Sequence, residues 1–256
     1  GEVAVVAREF ESLAVRRRWL RVPVLRGVLA LGESMAIGFR ALGVSAQYAA
    51  EEEDAPTAAD GGPSEPEELS RWSLALSFVV AIGVALLLFK VGPGVLTGLL
   101  GFDSKGWPFL LVEGAIRIAV FIAYLAALRL SPELRRVFAY HAAEHKAINA
   151  LEAGRPLEPA TVNRESLIHV RCGTAFLLWV MVVAIVVYGA LSAIVGHLTI
   201  VGIVLSRIVL LPVIAGIAYE VIRLAGKHGR NPAVRAVLAP GLWLQRLTTR
   251  PCDDAH

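Results

Sequence analysis

Cysteine, methionine and charge are all scarce in this 256-residue sequence: two cysteines (Cys172 and Cys252), two methionines, and 18 % charged residues. Two thiols cannot build the disulfide framework of a small secreted scaffold, and a cytoplasmic position for both argues against any structural disulfide. The net charge is only +3, with the basic residues gathered between apolar segments, so they read as topology determinants and headgroup contacts. No nucleic-acid partner is expected from that distribution. No cleavable signal peptide is expected either: the chain opens Gly1-Glu2-Val3-Ala4-Val5-Val6 without an initiator Met, and no long apolar run is read for about seventy residues. The native N-terminus is therefore expected to lie upstream.

What is abundant is apolar side chain. Hydrophobic residues make up 56 % of the sequence and the mean hydropathy is +0.62, which points to a polytopic, all-α membrane protein. The expected fold is about four transmembrane helices with interfacial amphipathic helices and a small N-terminal β element at residues 3–7. Residues 1–50 form an N-terminal interfacial segment. Within it the basic-aromatic cluster Arg16 to Arg21 precedes a mostly apolar helix, 22–46, whose Arg26, Glu33 and Arg40 recur every seven residues as one polar stripe. That stripe favours a helix lying on or dipping into the membrane over a full span. An acidic, Pro- and Gly-rich linker follows at 51–71. The transmembrane domain occupies 72–223, with spans at 72–91, 107–130, about 175–195 and about 199–223. Gly92-Pro93-Gly94 is expected to end the first span, leaving 95–106 as an external connection. A tail, 224–256, carries an interfacial helix at 240–250. Trp72, Trp107, Trp179 and Trp243 fit interfacial anchoring or packing.

Basic residues orient this arrangement. Eight Lys/Arg precede the first span, seven lie between the second and third, and six follow from Arg223 onward, whereas the opposite connections hold only Lys90 and Lys105. The positive-inside rule then places both termini and the central segment in the cytoplasm.

Against that frame one stretch carries chemistry: Tyr140-His141-Ala142-Ala143-Glu144-His145-Lys146, inside an amphipathic helix at 133–153. Histidines four apart share a helix face, two imidazoles at that spacing can grip one metal ion, and H-x-x-E-H is the inverted zinc-hydrolase pattern. Topology brings His169 and Cys172, before the third span, and Glu220, near the end of the fourth, to the same membrane level. Any of the three could complete the ligand set, with Glu152 a weaker candidate. Glu113 and Arg117, an i,i+4 pair within the second span, are expensive there unless paired or functional. A structural reading of that pair weighs about as much as a functional one.

Five ordered runs carry a family resemblance: Val22-Pro23-Val24-Leu25-Arg26-Gly27, Tyr140 to Lys146, Arg171-Cys172-Gly173-Thr174, Ala215-Gly216-Ile217-Ala218-Tyr219-Glu220, and Pro240-Gly241-Leu242-Trp243-Leu244-Gln245-Arg246-Leu247-Thr248-Thr249-Arg250. Together they resemble the DUF1385 family of bacterial membrane proteins across nearly the whole chain. The resemblance implies a multi-pass protein of the bacterial inner membrane, sometimes described as a metal-dependent enzyme. It also implies that His141, Glu144, His145, His169, Arg171, Cys172 and Glu220 occupy motif positions. A glycine-rich opening segment common in the family is absent, and the run after Arg250 differs, so Cys252 inherits no role.

Three functions remain open. The first is a metal-dependent hydrolase at the cytoplasmic membrane face, acting on a membrane lipid or a membrane-proximal peptide. His141 and His145 would hold Zn²⁺ with His169, Cys172 or Glu220; Glu144 would act as base toward a water on the ion, and Arg171 would steady an anion. The second is a non-catalytic membrane protein in which the same cluster is a structural clasp. The third is a channel or transporter lined by Glu113, Arg117 and Arg207. The bilayer is the one certain partner in each; composition leaves the oligomeric state open.

Overall fold

The computed structural model describes residues 10, 13, 17–53, 71–102, 106–196, 200–228 and 231–252. The expected strand at 3–7 and most of the acidic linker lie outside these residues. Helices account for all regular structure described, with no strand among the described residues. The chain divides into two compact units, 1–83 and 84–256.

In the first unit a 3-10 turn, Arg18–Arg21, leads into α1, Leu25–Glu53. Leu13 N–H donates to Glu33 Oε1 at 2.7 Å, and the Arg26 guanidinium donates to the Arg21 carbonyl at 3.3 Å. Leu25–Val44 is long and apolar enough to cross a membrane, which brings the candidates to five where four spans were expected. The reason is spacing: charges seven residues apart leave Leu25–Val44 apolar enough over a length that can cross the hydrocarbon.

The other candidates are Val79–Leu99, Trp107–Leu130, Gly173–Val195 and Leu205–Lys227. They bury at most 28 % of their most apolar windows within the chain, so their aliphatic surface needs lipid around it. The helices are α2, Arg71–Leu86; α3, Gly92–Leu99; α4, Trp107–Leu130; α5, Leu134–Glu152; α6, Gly173–Val195; α7, Ile200–Lys227; and α8, Pro232–Thr248. Helix α8 packs on α4, α6 and α7. The tail helix begins at Pro232 rather than Pro240, because Asn231 caps it by accepting from Ala233 N–H at 2.9 Å and Pro232 suits the first turn. The buried core of this end is Phe121 and Leu125 of α4, Leu178 of α6 and Leu244 of α8. Helices α4 and α6 approach closely at Gly114, where a Cβ would come within 2.3 Å of Ile185 Cδ1.

The expected break at Gly92-Pro93-Gly94 does not occur. A π-turn, Leu87–Val91, joins α2 to α3, and Gly92 N–H donates to Leu87 O. Proline at 93 has no N–H for the Phe89 carbonyl four residues back. Arg117 Nε supplies the missing donor, at 2.9 Å from Phe89 O. The same guanidinium pairs with Glu113, whose carboxylate also lies 3.5 Å from Lys90 Nζ. The ionic pair inside α4 thus lets a proline-containing helix continue through a region without water, where an unpaired carbonyl costs several kcal/mol. Arg207 of α7 stacks over the Tyr188 ring at 3.7 Å.

Replacing Arg117 by Met leaves both the Phe89 carbonyl and Glu113 short of a partner. Thermal unfolding of the detergent-solubilised protein should show a loss of about 3 kcal/mol. Adding Pro93→Ala restores a backbone donor and should recover part of that loss. Purely additive effects of the two changes would contradict the assignment.

Candidate metal centre

Helix α5 has no proline or glycine from Leu134 to Glu152 and ends where Gly154 takes φ +65°. Its buried face is Phe138, Ala139, Ala142, His145, Lys146 and Ala150. The four-residue spacing puts His141 beside His145, ring centroids 4.4 Å apart. Facing them is the segment 163–172, which has no helix of its own and is held by side chains. Asn149 Nδ2 donates to the carbonyls of Ser166 (2.9 Å) and Ile168 (3.2 Å). Lys146 Nζ donates to Asn163 Oδ1 at 3.2 Å. Gln245, fully buried on α8, accepts from His169 N–H at 2.9 Å and donates to His169 O at 2.7 Å. A buried amide satisfied on both ends fixes this segment as a neighbouring strand would.

These bonds set both imidazoles. His141 Nδ1 donates to the Thr248 carbonyl at 2.8 Å, and His145 Nδ1 donates to the Leu167 carbonyl at 2.6 Å. A carbonyl only accepts, so Nδ1 carries the proton and each neutral ring presents its Nε2 lone pair. Cys172, the residue capping the N-terminus of α6, places Sγ 3.4 Å from His141 Nε2 and 3.1 Å from Thr174 Oγ1. Ligand atoms of His141, His145 and Cys172 all lie within 4.8 Å of one another.

Burial alone would push the Cys172 thiol up. Hydrogen bonds with His141, His145 and Thr174 outweigh it and bring the group from 9.0 down to about 5. His141 moves up, chiefly through its bond to Cys172, against the opposing effect of burial. The thiolate therefore persists at neutral pH by accepting from a protonated imidazole Nε2, and the same bond raises His141. With that proton displaced, the sulfur faces two Nε2 lone pairs. One proton cannot satisfy three such atoms, whereas one cation can. A tetrahedral zinc with bonds of about 2.0–2.3 Å sets its ligand atoms about 3.5 Å apart, close to the His141–Cys172 separation. Imidazoles anchored through Nδ1 to carbonyls are the usual outer support of metal-ligating histidines.

The remaining motif residues lie outside this group. His169 is buried, but its Nε2 faces Glu152 Oε2 at 3.4 Å, and its ring centroid is 6.0 Å from that of His145. Arg171 is exposed and donates to Glu152 Oε1 at 2.8 Å. Glu220 lies on α7, 3.9 Å from Arg223. Glu144 is exposed, on the side of α5 away from its buried face, and touches the site only through its charge on His141. The sequence pattern did not single out Thr174 as a partner of the thiol, Gln245 as the clamp, or the carbonyls of Leu167 and Thr248. Gln245, polar among apolar neighbours in the tail motif, was the one readable signal.

The chain matches the family described as "Protein of unknown function (DUF1385)" over residues 22–256. It is 32 % identical over 241 residues to "Uncharacterized protein YqhQ" of Bacillus subtilis (strain 168), covering 91 % of this chain and 73 % of that protein. No solved structure matches it.

In metal-free protein carrying Cys252→Ser, thiolate absorbance should titrate with a midpoint near pH 5. The thiolate is present above that pH and lost below it. His141→Ala removes the largest favourable bond and should move the midpoint up by at least one unit; an unchanged midpoint would refute the pairing.

Proposed function

Since the chain belongs to the DUF1385 family, we propose that it is a multi-pass protein of the bacterial inner membrane with a His₂Cys metal centre, formed by His141, His145 and Cys172, at the cytoplasmic membrane face. One observation carries this reading: both Nδ1 atoms are tied to backbone carbonyls, which leaves each Nε2 for the site, and the ligand atoms of His141, His145 and Cys172 lie within 4.8 Å of one another. Zinc suits the set, since two imidazoles and a thiolate are borderline-soft ligands. His141, His145 and Cys172 would hold such an ion with fewer than four protein ligands, as catalytic rather than closed structural zinc sites do. When bound, the ion supplies Lewis acidity, the basis for hydrolysis of a membrane lipid or a membrane-proximal peptide. In that role Glu144 acts through its charge on His141 from the solvent side of α5, and Arg171, steadied by Glu152, holds an anionic group. His169 and Glu220 serve as neighbours rather than ligands.

The cytoplasmic assignment rests on charge: Arg129, Arg135, Arg136, Lys146, Arg155, Arg164 and Arg171 all belong to this end of the helices. Both termini share that side when α1 lies on the surface, and the N-terminus crosses when α1 spans.

A second reading, a non-catalytic clasp, is favoured by the same hydrogen bonds. They join α5 to the segment 163–172 and to the end of α8, and a metal on Cys172 would add α6. Elemental analysis of detergent-purified protein should find about one equivalent of zinc per chain. Cys172→Ala or His145→Ala should lose it, and Glu144→Gln should keep it. Stoichiometric metal retained in both ligand variants, or none in the native protein, overturns the centre. With metal bound, loss of cellular function in Glu144→Gln supports hydrolysis; intact function there, together with unfolding of His141→Ala, supports the clasp.

A further inference from the structure

A groove of about 630 Å³ runs between α8 and the segment Ser166–Val170. Its helical wall is one stripe of α8, in which Arg235, Ala239, Leu242, Trp243 and Arg246 follow at helical spacing. Ile168 and Val170 form part of the opposite wall. Between Arg235 and Arg246 the helical lining is alanine, leucine and tryptophan, Ser166 adds a hydroxyl on the opposite wall, and no carboxylate lines the groove. Both arginine side chains are exposed, as is nearly half of Trp243.

Depth distinguishes this groove from an ordinary surface crease. Leu244, on the other side of α8, packs with Leu125 and Leu178. Leu178 lies five residues past the start of the Gly173–Val195 span, about 7.5 Å along the helix. At Gly241 a Cβ would come within 3.1 Å of Ala175 Cβ, so the α8 backbone lies against the first turn of that span. Helix α8 therefore rests at the edge of the hydrocarbon, and the groove opens at headgroup level. Arginines at that level above an apolar floor, with an amphipathic Trp between them, match a phosphate-bearing headgroup whose acyl chain runs down the floor.

We propose that this groove is a binding site for an anionic phospholipid of the surrounding bilayer, with its phosphate held by Arg235 or Arg246 and its chain lying on Leu242, Trp243, Ile168 and Val170. The proposal does not depend on the metal centre, although Leu167, whose carbonyl orients His145, belongs to the same wall segment. A zwitterionic lipid lacks the net charge to hold two guanidinium groups there, and a soluble anion lacks the chain to cover the floor.

The test is native mass spectrometry of the full chain in detergent, titrated with phosphatidylglycerol or phosphatidylcholine. Phosphatidylglycerol should bind at least fivefold more tightly. Arg235→Gln and Arg246→Gln should each weaken it by up to about fivefold, the worth of one basic group near a lipid surface, and leave phosphatidylcholine unchanged. The Arg235→Lys/Arg246→Lys protein should retain the preference. Both arginines are exposed, so these changes leave the fold intact. Equal binding of the two lipids, or native-like binding by the double Gln variant, overturns the proposal. Displacement of the lipid by glycerol phosphate or by an acidic peptide at equal concentration also overturns it. Removing metal with a chelator should leave phosphatidylglycerol binding unchanged, so the lipid site and the metal centre can fail separately.

Discussion

A buried carbonyl or amide without a partner costs a few kcal/mol, and inside a bilayer no water relieves it. Much of this molecule follows from how that cost is avoided. Proline 93 removes one donor, and Arg117 replaces it from the next helix. The segment 163–172 has no helix to satisfy its backbone, and Asn149 and Gln245 do so instead. The free carbonyl of Thr248, at the end of α8, is taken by His141. Each solution joins elements that would otherwise lie apart, so polar satisfaction and tertiary assembly are the same event.

The candidate centre is a product of that process. Helical spacing alone would leave two imidazoles free to rotate. Two carbonyls, from Leu167 and Thr248, fix both tautomers and both ring directions, and the capping position of Cys172 brings a thiolate to the N-terminus of α6. The orienting groups come from outside α5, so the integrity of α8 and of the 163–172 segment is part of the site. The basic residues around it serve two further ends: Arg171 meets Glu152, and Arg129 donates to Thr249 O at 2.9 Å, which anchors the tail helix to α4.

Legibility in the sequence differed by kind of feature. The span Trp107–Leu130 was readable to the residue, and α5 to within one residue at each end, because hydropathy and the 3.6-residue period are summed locally. Proline misled twice. Pro93 reads as a breaker, yet the helix continues through a π-turn and a guanidinium from a helix not yet formed in any local reading, and Pro240, read as the start of the tail helix, lies inside it. The Glu113–Arg117 pair looked equally structural and functional; its bond to Phe89 O tips it toward structure. Among the motif residues, His169 stood level with Cys172 as a partner for the histidine pair, because nothing in the spacing says which way either side chain turns.

By itself, then, the sequence determined that the chain is helical and membrane-bound and that His141 and His145 share a face. These are consequences of composition, periodicity and charge along the chain. Tertiary structure alone decided that Cys172 stands third beside them, that His169 turns to Glu152, and that Glu144 faces outward. Those outcomes depend on hydrogen bonds between residues 22 and 107 positions apart. Interactions at such separations exist only once the helices have packed.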